Sequence, residues 1–310
     1  MVSNRTISGE PGERRLGRRI GFSPYLMVVP ALLLVALFTL YPYGYAIWSS
    51  LQVLSPILPP SFAGLKNYQA VITSTYFFDA LRNTLVFTGI SVPIIVALGV
   101  LVASLLNQRF FGNVALKASV LLPWAIPAAI TGVIWKGVFS DSWGALNAIL
   151  YSLGFIPDYV KWLTTRHLAT TAVIVAHVWM QFPMAAIFSL AAMQAIPDEL
   201  YEAAAIDGAG TLQRFFSITL PNIKVMLVIV TLFEILMSLN TFDLTYGLTG
   251  GGPGTSTMFI SYFIWAEFFK MLSYGKGAAL AVILAAVALV IIFIILNLIP
   301  GEALLGGKEE

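Results

Sequence analysis

Six long apolar runs separated by shorter polar stretches set the pattern of this chain: roughly Tyr25–Trp48, Asn83–Leu106, Ala118–Val138, Leu168–Met193, Lys224–Leu248 and Ala278–Ile299. At about 1.5 Å of rise per residue, each is long enough as a helix to cross a hydrocarbon core of about 30 Å. The sixth carries no charge in 22 residues. The pattern predicts an all-α integral membrane protein with six transmembrane helices. Tyr41, Tyr43, Tyr45 and Trp48 form an interfacial belt at the far end of the first run, whose Pro30 and Pro42 a membrane helix tolerates. Pro123 and Pro127, four residues apart, are expected to distort the third helix, which also holds Trp124 and Trp135.

The connections divide into two kinds. Residues 49–80 and 140–166 are long, and the second is rich in interfacial aromatics (Trp143, Tyr151, Tyr159, Trp162). A short turn with Arg109 and Lys117 follows the second run. After the fifth run come Gly250-Gly251-Gly252-Pro253 and the aromatic segment Thr255–Phe269, which is expected to lie along the outer interface. By far the most structured interruption is Pro197–Pro221, PDELYEAAAIDGAGTLQRFFSITLP.

Composition agrees with the pattern. Hydrophobic residues make up 58%, charged residues 10%, and the mean hydropathy is +0.86; soluble domains carry nearer a quarter charged residues. A net charge of +2 says little about partners. The lack of cysteine excludes disulfides, thiolate metal sites and a cysteine nucleophile. Residues 1–22 read as a basic cytoplasmic N-terminal segment, with Arg5, Arg14, Arg15, Arg18 and Arg19 holding it inside. Its paired arginines also invite an export-signal reading. The next apolar run is too long for a signal peptide, however, and no small-residue cleavage site follows it. Residues 23–300 then form one six-span domain and 301–310 a cytoplasmic tail. Both termini and the 197–221 loop fall on the same side, with ten of the 17 Lys and Arg inside.

The loop reads as an elbow of two short helices. Pro197 suits the first helical position, and Asp198 and Glu199 put negative charge where the helix dipole favours it. Leu200, Ala203 and Ala204 make a small apolar stripe, Gly208 and Gly210 turn the chain, and Thr211 caps a second helix that Pro221 limits. Small residues on one face admit the close approach of a partner.

Glu202-Ala203-Ala204, three residues, Gly208, nine residues, then Ile218-x-Leu220-Pro221 resembles the full EAA pattern of permease subunits in binding-protein-dependent ABC importers. The resemblance extends over nearly the whole chain and is closest to the carbohydrate-uptake branch. FAGLKNY at 62–68 and TGGGP at 249–253 are similar to recurrent segments of that branch. It implies type I ABC importer permease architecture in the inner membrane of a bacterium or archaeon. It further implies that Glu202, Ala203, Ala204, Asp207, Gly208, Ile218, Leu220 and Pro221 form the coupling helix that docks on an ATPase. Thr249, Gly251, Gly252 and Pro253 would lie at the external mouth, facing a solute-binding protein. The implied partners are a second permease, two copies of the ATPase, the binding protein, a sugar and membrane lipid, with no nucleic acid.

The chain encodes no energy source of its own. Gly275-Lys276-Gly277 lacks the spacing and hydroxyl of a phosphate loop, so ATP and Mg would be bound by the partner ATPase and the chain holds no cofactor. No HExxH or GxSxG motif and only two histidines argue against an enzyme. Polar groups within the spans are costly and mark function or structure. Those of the right chemistry for a neutral sugar are Trp179, Gln181, Asn240 and Asp243. For Glu234, a structural hydrogen bond and contact with the pathway are both open; for His177 a satisfied interior role is the plainer reading. A helix through both carboxylates would set Glu234 and Asp243 about 13.5 Å apart. Glycerol phosphate or another polar metabolite is the alternative cargo, and an ion-coupled carrier using Glu234 the alternative mechanism. The mid-span positions hold no cation cluster, which favours a neutral sugar. The absence of a two-half repeat counts against the carrier.

Overall fold

A computed structural model of the chain describes residues 23–57, 59–108 and 110–298. The basic N-terminal segment, Arg109 and the cytoplasmic tail expected from sequence lie outside the described residues.

The chain divides into two compact units, 1–45 and 46–310. The first contains α1 (Ser23–Val35), a π-helical turn (Ala36–Leu40) and the beginning of α2 (Tyr41–Ser50). The run Val28–Ser50 is long and apolar enough to cross a membrane.

The second unit opens with a two-stranded antiparallel ribbon, β1 (Gln52–Val53) and β2 (Ser61–Phe62), followed by α3 (Lys66–Ile72). Asn67 Nδ2 donates to the carbonyls of Ser50 and Gln52 at 2.8 Å each and ties this connection down. The remaining elements are α4 (Thr75–Leu106), α5 (Asn113–Ala125), α6 (Ala128–Val138), α7 (Ala145–Ser152), α8 (Arg166–Gln194), α9 (Asp198–Ile206) and α10 (Thr211–Arg214). A second π-helical turn (Phe215–Thr219) leads to α11 (Leu220–Asn222), α12 (Lys224–Leu239), α13 (Asp243–Leu248), α14 (Ile260–Phe269) and α15 (Tyr274–Leu298).

Among the described residues, four helices pass for membrane spans alone, and six do if each of two bent pairs counts as one. The first pair, α5 and α6, meets at 94°. Ile126 and Pro127 are extended at this break, because Pro127 can neither donate to the preceding turn nor leave Ile126 helical. The expected distortion of the third span is thus a full interruption. In the second pair the segment Thr211–Asn222 meets α12 at 69°.

Two sequence expectations need correction here. The fifth run does not continue to Leu248: α12 ends at Leu239, residues 240–242 break the helix, and α13 starts afresh. The along-axis spacing of Glu234 and Asp243 therefore does not apply. The second run begins at Thr75, not Asn83, because its polar first turns, with Asp79 and Arg82, extend the helix beyond the apolar stretch.

The backbone of the bundle is the α4–α8 pair. Both helices bury small residues at their contact, with Gly99 backing directly onto Ala185 and Ala186. In the bilayer, where apolar burial between helices brings little, close backbone approach of this kind supplies the packing. A comparable crossing joins α6 to α13: a Cβ on Gly132 would lie 2.6 Å from Leu244 O, and one on Gly247 2.7 Å from Ala129 O. The two broken spans are thus locked to each other next to their breaks. Near the elbow, Val100, Ala103 and Leu106 of α4 pack with Leu190, Met193, Ile196 and Ile223.

Candidate functional site

Two regions carry the chemistry. The first is the elbow. Pro197 is the N-cap of α9 with extended ψ of 135°, one position earlier than the sequence suggests, so Asp198 and Glu199 occupy the first turn. At the other end Gly208 takes φ of +81°; its N–H donates to Ala205 O at 3.1 Å and the Ala209 N–H to Ala204 O at 2.8 Å. This pair of bonds is the Schellman motif, which closes a helix on a left-handed residue and favours glycine there. Gly208 therefore fixes the direction in which the chain leaves α9.

Gly210, with extended ψ of 167°, is the N-cap of α10; Thr211 is the first helical residue and makes no capping bond. Pro221 does not end this helix. The chain stays helical to Asn222 and bends at Ile223, since proline is tolerated in the first turn of α11. Tyr201 OH and Thr219 Oγ1 lie 2.9 Å apart and strap the two arms together. Ile218 and Leu220 are half-buried beneath the elbow, and Pro221 is exposed.

Glu202, Ala203, Asp207 and Gly208 are exposed, and Ala204 is half-buried. Beside them Ile206 (87%), Leu212 (71%) and Phe216 (57%) present large apolar side chains outward. A polar–apolar surface of this kind is what a docking face requires. Beside the start of α9, Asn107 and Gln108 of the α4–α5 turn and Lys117 of α5 share a cavity with Asp198 and Tyr201.

The second region is a buried polar seam between α8 and α12. His177 is fully buried, and its Nε2 lies 3.1 Å from Ser238 Oγ, also buried. The Phe87 ring of α4 sits 5.0 Å from the imidazole. One turn along α12 from Ser238, Glu234 is fully buried, and neither carboxyl oxygen has a hydrogen-bond partner among the described residues. His177 Nδ1 and Ser189 Oγ are likewise unpartnered. A carboxyl group without a partner inside a membrane protein is expensive. His177 is thus interior, bonded to Ser238 through one ring nitrogen, with the other left unpartnered among the described residues. Gln181 follows one turn after His177 on the same face of α8 and is also buried.

The four residues proposed for the sugar do not all meet. Trp179, two positions from both His177 and Gln181, points about 200° away from that seam; it packs edge-on against Trp135 at 5.7 Å. Asn240 and Asp243 flank the break after α12 and are exposed. Asn240 Nδ2 donates to Leu236 O at 2.8 Å, closing the end of its own helix. The signal that could have found the His177, Gln181 face is their spacing, because i, i+4 polar pairs in an apolar helix share a side.

The TGGGP turn is not a free flexible loop. Thr249 Oγ1 lies 2.7 Å from Thr257 Oγ1, which donates to Gly252 O at 2.8 Å. Gly251 is buried under the Tyr262 ring, while Gly252 and Pro253, joined by a cis peptide bond, are half-buried.

Residues 95–300 match the family described as "Binding-protein-dependent transport system inner membrane component". The chain is 38% identical to the trehalose/maltose transport system permease protein MalF of Thermococcus litoralis, covering 91% of this chain and 93% of that protein. It is 36% identical to the sulfoquinovosyl glycerol transport system permease protein SmoG of Agrobacterium fabrum, over 88% of this chain and 89% of that one. Among solved structures, a chain of the bacterial ABC transporter involved in the import of the acidic polysaccharide alginate superposes with a TM-score of 0.76 at 25% identity, covering 89% of this chain and 94% of its own. A six-span pattern, a structured elbow and likeness along almost its full length agree: the chain belongs to the binding-protein-dependent transport system inner membrane components, the permease subunits of ABC importers.

Proposed function

We propose that this permease subunit imports a neutral sugar and takes its driving force from a separate ATPase docked on the α9 elbow. The observation that carries the coupling role is the exposed face of α9, ended by the Schellman turn at Gly208 and rimmed by Ile206, Leu212 and Phe216. In this reading Glu202 meets a basic or hydrogen-bonding group of the ATPase, Ala203 and Ala204 allow close contact, and Asp207 and Gly208 set the angle. A second permease completes the pathway, two ATPase copies bind ATP and Mg, and an extracytoplasmic binding protein delivers the sugar. Closure of the ATPase pair moves the elbows together and opens the pathway outward; hydrolysis resets it. The elbow, both termini and the α4–α5 turn face the cytoplasm, and Thr249, Gly251, Gly252 and Pro253 face the binding protein.

The sugar assignment rests on the α8–α12 seam. Glu234, Gln181, His177 and Ser238 offer hydrogen-bonding groups, two of them with unpartnered atoms, and no lysine or arginine lies among them. Groups of this kind suit hydroxyls better than phosphate or sulfonate. Glu234→Gln is expected to lower uptake by up to about tenfold, the net worth of one hydrogen bond being about 0.5–1.5 kcal/mol, with the complex still assembled. Unchanged transport kinetics would remove Glu234 from the pathway.

Asn240→Ala is expected to reduce uptake by a smaller factor, since Asn240 sits at the break with its amide engaged by its own helix. Normal kinetics in that variant would confine Asn240 to helix termination. The whole assignment is tested by purifying the tagged protein from its host in mild detergent and identifying what is retained. A P-loop ATPase and a second permease support it; a chain that purifies alone and catalyses ion-dependent uptake in liposomes overturns it.

A further inference from the structure

At the end of the bundle opposite the elbow, the outer ends of α4 and α8 enclose a cavity of about 440 Å³ that neither the elbow nor the seam accounts for. Its upper rim is cationic. Arg82 of α4 and Arg166 of α8, 84 positions apart in the chain, both border it. Arg166 Nη2 donates weakly to Thr255 Oγ1 at 3.4 Å, and Thr255 Oγ1 in turn donates to Asp79 Oδ2 at 2.8 Å. Asp79 thus offsets one guanidinium through a hydroxyl. The Arg82 guanidinium makes no hydrogen bond or ion pair among the described residues. His167 adds a second nitrogen donor or acceptor to the same rim. Ser256, also lining the cavity, is 8% exposed, and its hydroxyl has no hydrogen-bond partner among the described residues.

Below the rim the chemistry changes. Val86, Ile90 and Ile174 form the lower wall, and Val86 and Ile90 are 44% and 43% exposed. Ile90 lies eight residues beyond Arg82 and Ile174 eight beyond Arg166, so the apolar wall runs about 12 Å down both helices from the arginine level. The groove is therefore charged where a helix enters the membrane and apolar where it continues into hydrocarbon. A free anion would need only the rim, and the acidic surface of a soluble protein would not reach the wall. A molecule with an anionic head and an acyl tail uses both.

We propose that this groove binds an anionic phospholipid, its phosphate between Arg82 and Arg166 and one acyl chain along Val86, Ile90 and Ile174. Guanidinium groups suit phosphate oxygens because their paired N–H donors match the geometry. The proposal does not depend on which solute the importer carries.

The test is native mass spectrometry and thermal unfolding of the detergent-purified importer, with phosphatidylglycerol, phosphatidylcholine or inorganic phosphate added in parallel. The wild-type protein is expected to retain phosphatidylglycerol and to be stabilised by it alone. Arg82→Gln/Arg166→Gln is expected to retain about thirtyfold less, each cation near a lipid surface contributing about a fivefold factor. Lys161→Gln, an exposed charge outside the cavity, is expected to change nothing. Equal retention by the double variant, equal retention of phosphatidylcholine, or stabilisation by inorganic phosphate alone would each overturn the proposal. Because the chain has no cysteine, Ile90→Cys supplies a single reactive site. Its cross-linking to the paired permease would assign the groove to a subunit contact and overturn the lipid site as well.

Discussion

Gly208→Asp is expected to leave the protein inserted and folded while abolishing uptake. The position demands left-handed backbone at φ of +81°. That costs an ordinary residue roughly 1–2 kcal/mol, and aspartate is among the residues that adopt it most readily. No heavy atom among the described residues, chain neighbours aside, lies within 4 Å of a Cβ built there, so the new side chain starts into open space. What it does meet is whatever covers the elbow. A carboxylate beside Glu202 and Asp207 adds charge to a face that must come within contact distance of its partner. Retention of the ATPase in detergent and uptake in cells should fall together, with membrane insertion unchanged. If both persist, the coupling role of the elbow is wrong.

The second large effect is expected at the crossing of the two broken spans. Gly132→Leu places a Cβ 2.6 Å from Leu244 O and 3.1 Å from the Gly247 Cα, so backbone must move against backbone. Overpacking of a well-formed contact costs about 1–3 kcal/mol, and side-chain repacking cannot absorb this clash. The helix pair α6–α13 should separate, lowering thermal stability and the yield of monodisperse protein. Gly89→Leu is the control: it introduces the same residue into another membrane helix, at a glycine with open space around its Cβ. Equal behaviour of the two variants would mean that the crossing contributes nothing to the fold.

The six apolar runs and the elbow were legible because their signals are local. Length and hydropathy mark a span, and glycine at the end of α9 marks a left-handed cap. Pro123 and Pro127 announced the break in the third span for the same reason. The break after Leu239 has a weaker signal: Asn240-Thr241-Phe242-Asp243 is mostly polar but holds neither glycine nor proline. There α13 packs closely on α6, a tertiary contact that the local sequence does not announce. The pathway candidates illustrate the same limit. Trp179 and Gln181 share a chemical logic for sugars but stand on opposite sides of α8. The unsatisfied carboxyl of Glu234 is visible only once its neighbours are in place. Arg82 and Arg166 are 84 positions apart in the chain, and only the parallel packing of α4 and α8 makes them one feature.

The shortness of α12 bears on how the chain is made. Its 16 residues rise about 24 Å, less than the hydrocarbon thickness of about 30 Å, and they include the ionisable Glu234. Such a segment partitions poorly into lipid when it leaves the insertion machinery by itself. It becomes stable against α4 and α8, whose small-residue contact is already complete by residue 194. The expected order of biogenesis is therefore one in which the α4–α8 pair forms first and the fifth span is admitted to the membrane by protein rather than by lipid.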